Sequence, residues 1–428
     1  MDKIINSILF LGNGWDLQLG LKSTFKDFIL HKYFAGKKDK ISKLYLASSQ
    51  TGCIDLLSLS ILLFFENGNY KNDELKNKLS ENYFIFAFLW FKFNEWYKTK
   101  TNNFQIDDSW SDVETVLKYI LKNKFPIFDD YGRPKQIILP PDIKIYNNEH
   151  GRLKIIKKSL QKFENEFNNY LLNQCKEIDF DSKSCDHLIK FIWKFSDIIS
   201  RPKYWWVLNF NYTNIDYKSI HEYFLMINGL YENKPIMVNR PHNIHGHINY
   251  ENNSEIIIGI DDTDTDKNDI YFEFTKSYRK AILNSVHCVQ QYKDKEYIVP
   301  KAETLFSLPL EEGDTKYKIY FYGHSLSKND YSYFQAIFDK YELYSSDTEL
   351  HFVYPPDKND KTIPNRKYCK YKNIYSLIHG YGKTLDNKDK GNNLFSKLIL
   401  ERRLLIDIID WDENAGILAE NMINFNEK

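Results

Sequence analysis

Cysteine is scarce in this chain. There are five in 428 residues, Cys53, Cys175, Cys185, Cys288 and Cys369, odd in number, scattered and without a C-x-x-C pair. That pattern argues against a disulfide framework and against a structural zinc, and it fits a reducing cytoplasm. Glycine and proline are also few, at 17 and 12, so Asn, Asp, Lys and Ser must form most turns. Neither sign of charge prevails: 58 Lys and Arg stand against 58 Asp and Glu. The balance removes the electrostatic footprint of general nucleic-acid binding and leaves room only for a local basic groove. Long apolar runs are missing too. The longest, Tyr83–Phe91, is about half of the roughly 18 residues that signal a membrane span, so no membrane partner is expected. Lys3 followed by Ile4–Leu11 superficially mimics a short signal peptide. It runs into Gly-Asn-Gly-Trp-Asp with no small-residue cleavage site, and reads as a buried first strand.

What is present is ample material for a core, with 43% hydrophobic and 16% aromatic residues. At roughly 100–200 residues per domain, the length suits two or three domains, or one domain with a long insertion. Segment 7–11 is a short apolar run ending in Gly12-Asn13-Gly14-Trp15-Asp16-Leu17, after which Phe25, Phe28 and Ile29 recur at helical spacing: strand, glycine turn, helix. From 35 to 200 the signals are mainly helical, at Ile54–Phe65, Tyr83–Tyr97, Val113–Leu121 and Leu153–Tyr170. After Pro202 short β-rich runs at Tyr204–Phe210, Ile256–Ile260, Tyr317–Tyr322 and Leu350–Tyr354 alternate with helices near Ile215–Ile227, Ser332–Leu343 and Ile374–Leu377. Such alternation predicts an α/β fold with a Rossmann-like parallel sheet. Residues 1–34 and 201–395 should form it, with a mainly helical insertion over 35–200 and an amphipathic helical tail over 396–428. The charge runs Lys37–Lys43 and Asp261–Asp269 read as solvated loops.

Several segments carry chemistry-bearing residues. The strand, Gly12-x-Gly14 and helix suit a dinucleotide pyrophosphate, because glycines admit the backbone closely and a helix N-terminus offers free N–H groups. They suit a plain tight turn as well, since the third glycine is displaced to Gly20 and no acidic ribose ligand follows at the usual distance. Asn209-Phe210-Asn211-Tyr212-Thr213 follows a strand directly, which puts Asn211 at the carboxyl edge of the sheet. There it either orients a sugar hydroxyl or a water, or forms the turn. His242-Asn243-Ile244-His245-Gly246-His247 holds three of the eleven histidines, open to a general base, a loop role or a metal site. Gly323-His324-Ser325-Leu326-Ser327 is a second phosphate- or ribose-facing turn. It is no nucleophile elbow, since Ser327 stands where that motif needs glycine. Asp262-x-Asp264-x-Asp266 with Glu273 imitates a calcium loop but has Lys267 at the glycine position. Trp110-Ser111-Asp112-Val113-Glu114 opens a helix, where capping explains the acids and a functional Glu114 is the lesser alternative.

Taken in order, Gly12-Asn13-Gly14-Trp15-Asp16-Leu17 with Gly20-Leu21, Trp110 to Glu114, Asn209 to Thr213, His245-Gly246, and Tyr322-Gly323-His324-Ser325-Leu326 with Asp330 resemble the bacteriophage abortive-infection family AbiH, in register from about 7 to 340. That family is in turn similar to the sirtuin NAD-binding fold. Gly12-Asn13-Gly14 matches the first glycine turn, Asn211 the ribose-facing Asn, His245-Gly246 the catalytic His-Gly, and Gly323-His324-Ser325-Leu326 the late Gly-Thr-Ser-Leu turn. Three positions depart from the pattern: Asp16 replaces Ser, Thr213 replaces Asp, and Lys22-Ser23-Thr24-Phe25 replaces the Pro-Asp-Phe-Arg nicotinamide contact. With no zinc-binding cysteine module, neither zinc nor protein deacetylation is expected.

The resemblance implies a cytoplasmic antiphage enzyme that takes NAD as substrate and cleaves its nicotinamide–ribose bond. Asn211, His245 and Asp16 are the catalytic candidates. Gly12, Asn13, Gly14, Gly20, Tyr212, Thr213, Gly323, Ser325 and Leu326 are the candidates for holding NAD or a related nucleotide. The rivals are a module that senses a nucleotide or ADP-ribose without turnover, and a metal-dependent nucleic-acid-degrading toxin built on the histidine cluster. A phage-derived trigger and a homo-oligomer are both compatible with the sequence.

Overall fold

A computed structural model of the chain describes residues 4–37, 40, 43, 72–99, 112–122, 148–196, 202–230, 235–249, 254–262, 270–283, 315–355 and 363–409. They divide into two compact units. The first takes in 1–21, 175–247 and 287–428, and the second 22–174 and 248–286.

The first unit is built on a parallel sheet of seven strands among the described residues: β1 (Ile4–Leu11), β2 (Tyr204–Asn209), β3 (Met237–Val238), β4 (His242–Asn243), β5 (Thr315–Tyr322), β6 (Glu349–Tyr354) and β7 (Leu404–Ile408). The order is β3-β2-β1-β5-β6-β7, with β4 also paired to β2. β1 is central, with Asn6 to Leu11 all buried, and its near-continuous apolar run suits a parallel strand covered on both faces. In register, Leu11 lies between Asn209 and Tyr322, so the carboxyl ends of β1, β2 and β5 meet at one edge.

Period-two alternation decides which residues face which helices. Ile8, Phe10, Leu208, Ile319, Phe321 and Phe352 pack with Phe334, Ile337 and Phe338 of the helix Tyr331–Lys340 and with Ile374 and Ile378 of Ile363–Gly382. On the other face Leu9, Leu11, Trp205, Val207, Tyr320 and Tyr322 meet Leu188, Phe191 and Ile192 of Phe180–Lys194 and Ile220 and Phe224 of Tyr217–Leu230. The helix after β1, α1 (Asn13–Gln18), puts Trp15 in this second cluster, whereas the helix after β5 joins the first. Strand order reverses between β1 and β5, and their following helices take opposite faces. That is the topological switch point, outside which open α/β sheets bind ligands.

The expected α/β class and parallel sheet are present, and several boundaries differ. The helix Phe180–Lys194, expected in the insertion, belongs to the sheet unit because its apolar stripe covers Trp205 and Tyr320. The run Ile256–Ile260, expected as a sheet strand, lies in the second unit with one isolated bridge, Ile260 to Thr275. Its backbone is satisfied by side chains instead: Ile258 N donates to Glu164, and Arg279 donates to Ile258 O at 2.5 Å. In the described part of the tail the helix Lys388–Leu400 ends and Leu404–Ile408 adds the strand β7 to β6, and residues 410–428 lie outside the described residues. The helix expected at Ile54–Phe65, Trp110 and Ser111, and Asp264, Asp266 and Lys267 of the calcium-like run lie outside the described residues.

The second unit is held by aromatic packing of Phe28 on Phe163 and Phe167, with ring centroids 5.2 Å apart in both pairs, and by buried ion pairs. Arg152, 1% exposed, donates to the carbonyls of Ile120 and Leu121 and so caps the helix Val113–Lys122. Glu164 takes both Nη1 and Nη2 of Arg279. Glu114 pairs with the buried Lys276 at 2.8 Å, which gives it a structural employment. Among the described residues no helix is long and apolar enough to cross a membrane.

Two expectations follow from these charges. Removing Glu114 takes a paired carboxylate from the buried Lys276 ammonium, so Glu114→Ala should lose of the order of 3 kcal/mol in urea unfolding, and adding Lys276→Met should return most of it. A single variant as stable as wild type contradicts the pairing. In the sheet unit, His351 of β6 lies between Asp407 (3.0 Å) and Glu349 (3.4 Å). Burial disfavours its charged form, but the bonds to Asp407 and Glu349 outweigh this and raise its pKa above the ordinary 6.5. Burial likewise opposes the Glu349 carboxylate, and bonds from His351 and Lys316 overcome it, down to about 2. The His351 contribution is complete below about pH 6.5 and fades as pH rises through the raised value. The Glu349 contribution is complete above about pH 4.5 and fades toward pH 2. The stability gap between wild type and His351→Gln should therefore narrow on the alkaline side, and a gap that widens there contradicts the assignment.

Candidate functional site

The site is built from turns at the carboxyl ends of β1, β2 and β5, all in the first unit. Gly12 N donates to Tyr322 O at 2.9 Å and Gly14 N to Gly323 O at 2.8 Å, so the two turns are joined backbone to backbone. A Cβ on Gly12 would stand 2.4 Å from Cα of His324, and one on Gly14 2.7 Å from Cα of Gly323. Gly323 itself holds φ +64°, and its Cβ would meet Trp15 N at 2.6 Å. These glycines are required by the docking of one turn on the other. Their amides are bonded to the carbonyls of the second turn. Asn13, between them, is exposed. Trp15 is fully buried and pins α1 edge-on against His187 (4.7 Å) and Tyr322 (5.5 Å).

Gly20 has a different duty from the one expected. It holds φ +91° with open space where a Cβ would go. Its N–H donates to Leu17 O and that of Leu21 to Asp16 O. This is the Schellman stop of α1, which accounts for the displaced third glycine without a cofactor.

The Asn209–Thr213 turn is closed by side-chain amides. Asn209 Oδ1 accepts from Asn211 N at 3.0 Å and its Nδ2 donates to Thr213 O at 2.7 Å. Asn243 of β4 donates to the carbonyls of Asn211 and Thr213 at 3.2 and 2.9 Å. Asn209 and Asn243 are thus the turn formers that sequence reasoning left unassigned, and they free Asn211 from that role. Asn211 is buried, and its Nδ2 reaches across to Gly12 O at 3.1 Å. That bond turns the amide so that Oδ1 faces away from Gly12 O. Thr213 Oγ1 donates to the buried Asp16 carboxylate at 2.9 Å, so two of the three departures noted in the sequence bond to each other. Tyr212 is half-buried, with its ring 6.5 Å from that of His245.

Of the three clustered histidines, His242 is exposed, His247 half-buried and His245 buried. His245 pairs through Nε2 with Asp330 Oδ1 at 3.0 Å and is walled by Phe210 (5.4 Å) and Tyr333 (5.6 Å). Among the described residues no group of three or more His, Cys, Asp or Glu is placed to hold a metal. The Gly323 turn brings in His324, whose Nε2 lies 3.7 Å from the other oxygen of Asp330. Leu326 is buried with φ 56°. Ser325 is exposed, and its carbonyl accepts from Asn373. Asp330 and His324, which the sequence reading placed in the family pattern but not among the site candidates, are polar members of this edge. Their spacing across one turn after a strand was the available signal. Burial, with Asp16 and Asp181 adding, pushes the Cys175 thiol up to about 12, which unfits it as a nucleophile.

A doubly wound parallel sheet whose carboxyl edge gathers Asn211, Asp16 and an acid-paired His245 defines a Rossmann-like α/β protein with a polar carboxyl edge. Residues 8–352 match the family described as Bacteriophage abortive infection AbiH, and the chain belongs to that family of phage-defence proteins. No curated protein and no solved structure matches it.

The docked turns make a ranked expectation. Gly14→Ala should lose about 2–3 kcal/mol, because backbone atoms must move to admit its Cβ. Gly20→Ala should lose only about 1 kcal/mol, for backbone strain in open space. Urea midpoints of the two variants check this, and the reverse order contradicts the packing.

Proposed function

We propose that this AbiH protein is an NAD glycohydrolase that breaks the nicotinamide–ribose bond. The observation that carries the reading is the setting of Asn211: a buried amide at the sheet edge, its Nδ2 fixed on Gly12 O, with Oδ1 oriented to accept from a ribose hydroxyl or a water. In the reaction the C–N bond breaks with its electron pair on the nicotinamide nitrogen, and neutral nicotinamide leaves. Water adds to C1′ of the oxocarbenium-like ribose, and its proton passes to His245. The products are nicotinamide, ADP-ribose and one proton. Asp16, held by the Thr213 hydroxyl, supplies negative charge toward the developing cation. The pyrophosphate falls to groups other than the Gly12 and Gly14 amides.

A second reading is a nucleotide or ADP-ribose sensor without turnover. The bond that engages Asp16 with Thr213 supports it, because a carboxylate already held by a hydroxyl is less available to a developing cation.

Incubation of purified protein with NAD, with and without infected-cell lysate, and quantitation of nicotinamide and ADP-ribose separate the readings. Wild type should form both products in equal amounts. Asn211→Ala and His245→Ala, with melting curves showing that they fold, should fall by at least about 100-fold. Full activity in both variants contradicts the enzyme reading. Absence of product while ADP-ribose raises the melting temperature supports the sensor.

A further inference from the structure

We propose that Asp330 and His324 are positioning residues for His245: Asp330 fixes the His245 ring through Nε2, and His324 steadies Asp330 from its other oxygen. The inference rests on the reading of His245 as the proton acceptor.

The arrangement starts from a strained backbone. Leu326 holds φ 56°, a conformation that side chains other than glycine adopt at a cost. That conformation accompanies a bond from Leu326 N–H to Nδ1 of His324 at 2.9 Å. A ring nitrogen that accepts a hydrogen bond keeps its lone pair, so neutral His324 carries its hydrogen on Nε2. This Nε2 faces Oδ2 of Asp330 at 3.7 Å, while Oδ1 takes Nε2 of His245 at 3.0 Å. The three side chains are 3%, 13% and 7% exposed, so the field between them is little screened. Phe210 stands edge-on to both imidazoles, 5.4 Å from His245 and 4.8 Å from His324.

With its hydrogen on Nε2 and its Nδ1 lone pair accepting from Leu326 N–H, neutral His324 has both ring nitrogens engaged. With the Nε2–H of His245 committed to the carboxylate, Nδ1 is its basic nitrogen. A carboxylate partner on the far nitrogen fixes both tautomer and ring orientation. The proton from the attacking water goes to Nδ1, and the Asp330 carboxylate lies beside the resulting imidazolium.

The test is 15N NMR of the full chain labelled at histidine, with His245 assigned by the signals lost in His245→Gln, beside the pH profile of NAD cleavage. Neutral His245 should be predominantly the Nε2–H tautomer in wild type and a mixture in Asp330→Ala. In that variant kcat should fall by about 100-fold with KM within about twofold, and Asp330→Glu should restore most of it. His324→Gln should give an intermediate loss and shift the acid limb of the profile. Should Asp330→Ala fail to fold, Asp330→Asn carries the same comparison. A wild-type His245 found mainly as Nδ1–H, or a tautomer ratio unchanged in the Asp330 variant, overturns the role of Asp330. An unchanged profile and tautomer ratio in His324→Gln overturn that of His324. If wild type cleaves no NAD, the enzyme reading fails by itself, while the tautomer spectra still decide the positioning.

Discussion

The close approach of two backbones, the turn after β1 and the turn after β5, is the constraint on which the rest of the site depends. Gly12 and Gly14 lie so near Gly323 and His324 that no side-chain carbon fits between them. Two N–H···O bonds close the contact. Because these turns leave the sheet where strand order reverses, joining them fixes the position of every group carried beside them. Asn211 takes its orientation from the carbonyl of Gly12, and His324 follows Gly323 in the chain.

Around that contact several polar groups are paired in layers. Side-chain amides of Asn209 and Asn243 stand in for backbone partners that an irregular turn lacks. An orphaned buried polar group costs about 1–3 kcal/mol, so these amides make the turn affordable in the interior. Asp16 is paired with Thr213, and His245 and His324 converge on Asp330. The edge therefore keeps charged and polar side chains buried without collapse. A preorganised site needs that condition, since dipoles already in place require no rearrangement when charge develops.

Much of this was legible in the sequence. The runs Ile4–Leu11, Tyr204–Phe210, Tyr317–Tyr322 and Leu350–Tyr354 declared themselves by apolar content and by alternation with helices, and β1, β2, β5 and β6 follow them closely. The run Ile256–Ile260 has the same composition, yet its backbone is satisfied by Glu164 and Arg279 rather than by a neighbouring strand. Composition registers burial and says nothing of the partner. The two-residue strands Met237–Val238 and His242–Asn243 are too short to have a period. At the site, Asn211 and His245 stood out by residue type and place. The uses of Gly12, Gly14 and Gly20 did not, because a glycine admits a ligand, a neighbouring backbone or a positive φ with the same letter. Asp330 gained its meaning only from the two histidines that folding brings to it.

The account is tested most directly by the structure of the protein with ADP-ribose bound. Asn211 Oδ1 should lie within hydrogen-bond distance of a ribose hydroxyl, with Gly12 N and Gly14 N still bonded to the carbonyls of Tyr322 and Gly323. A pyrophosphate seated on the Gly12 and Gly14 amides, with the two turns parted and Asn211 released from Gly12, would contradict it.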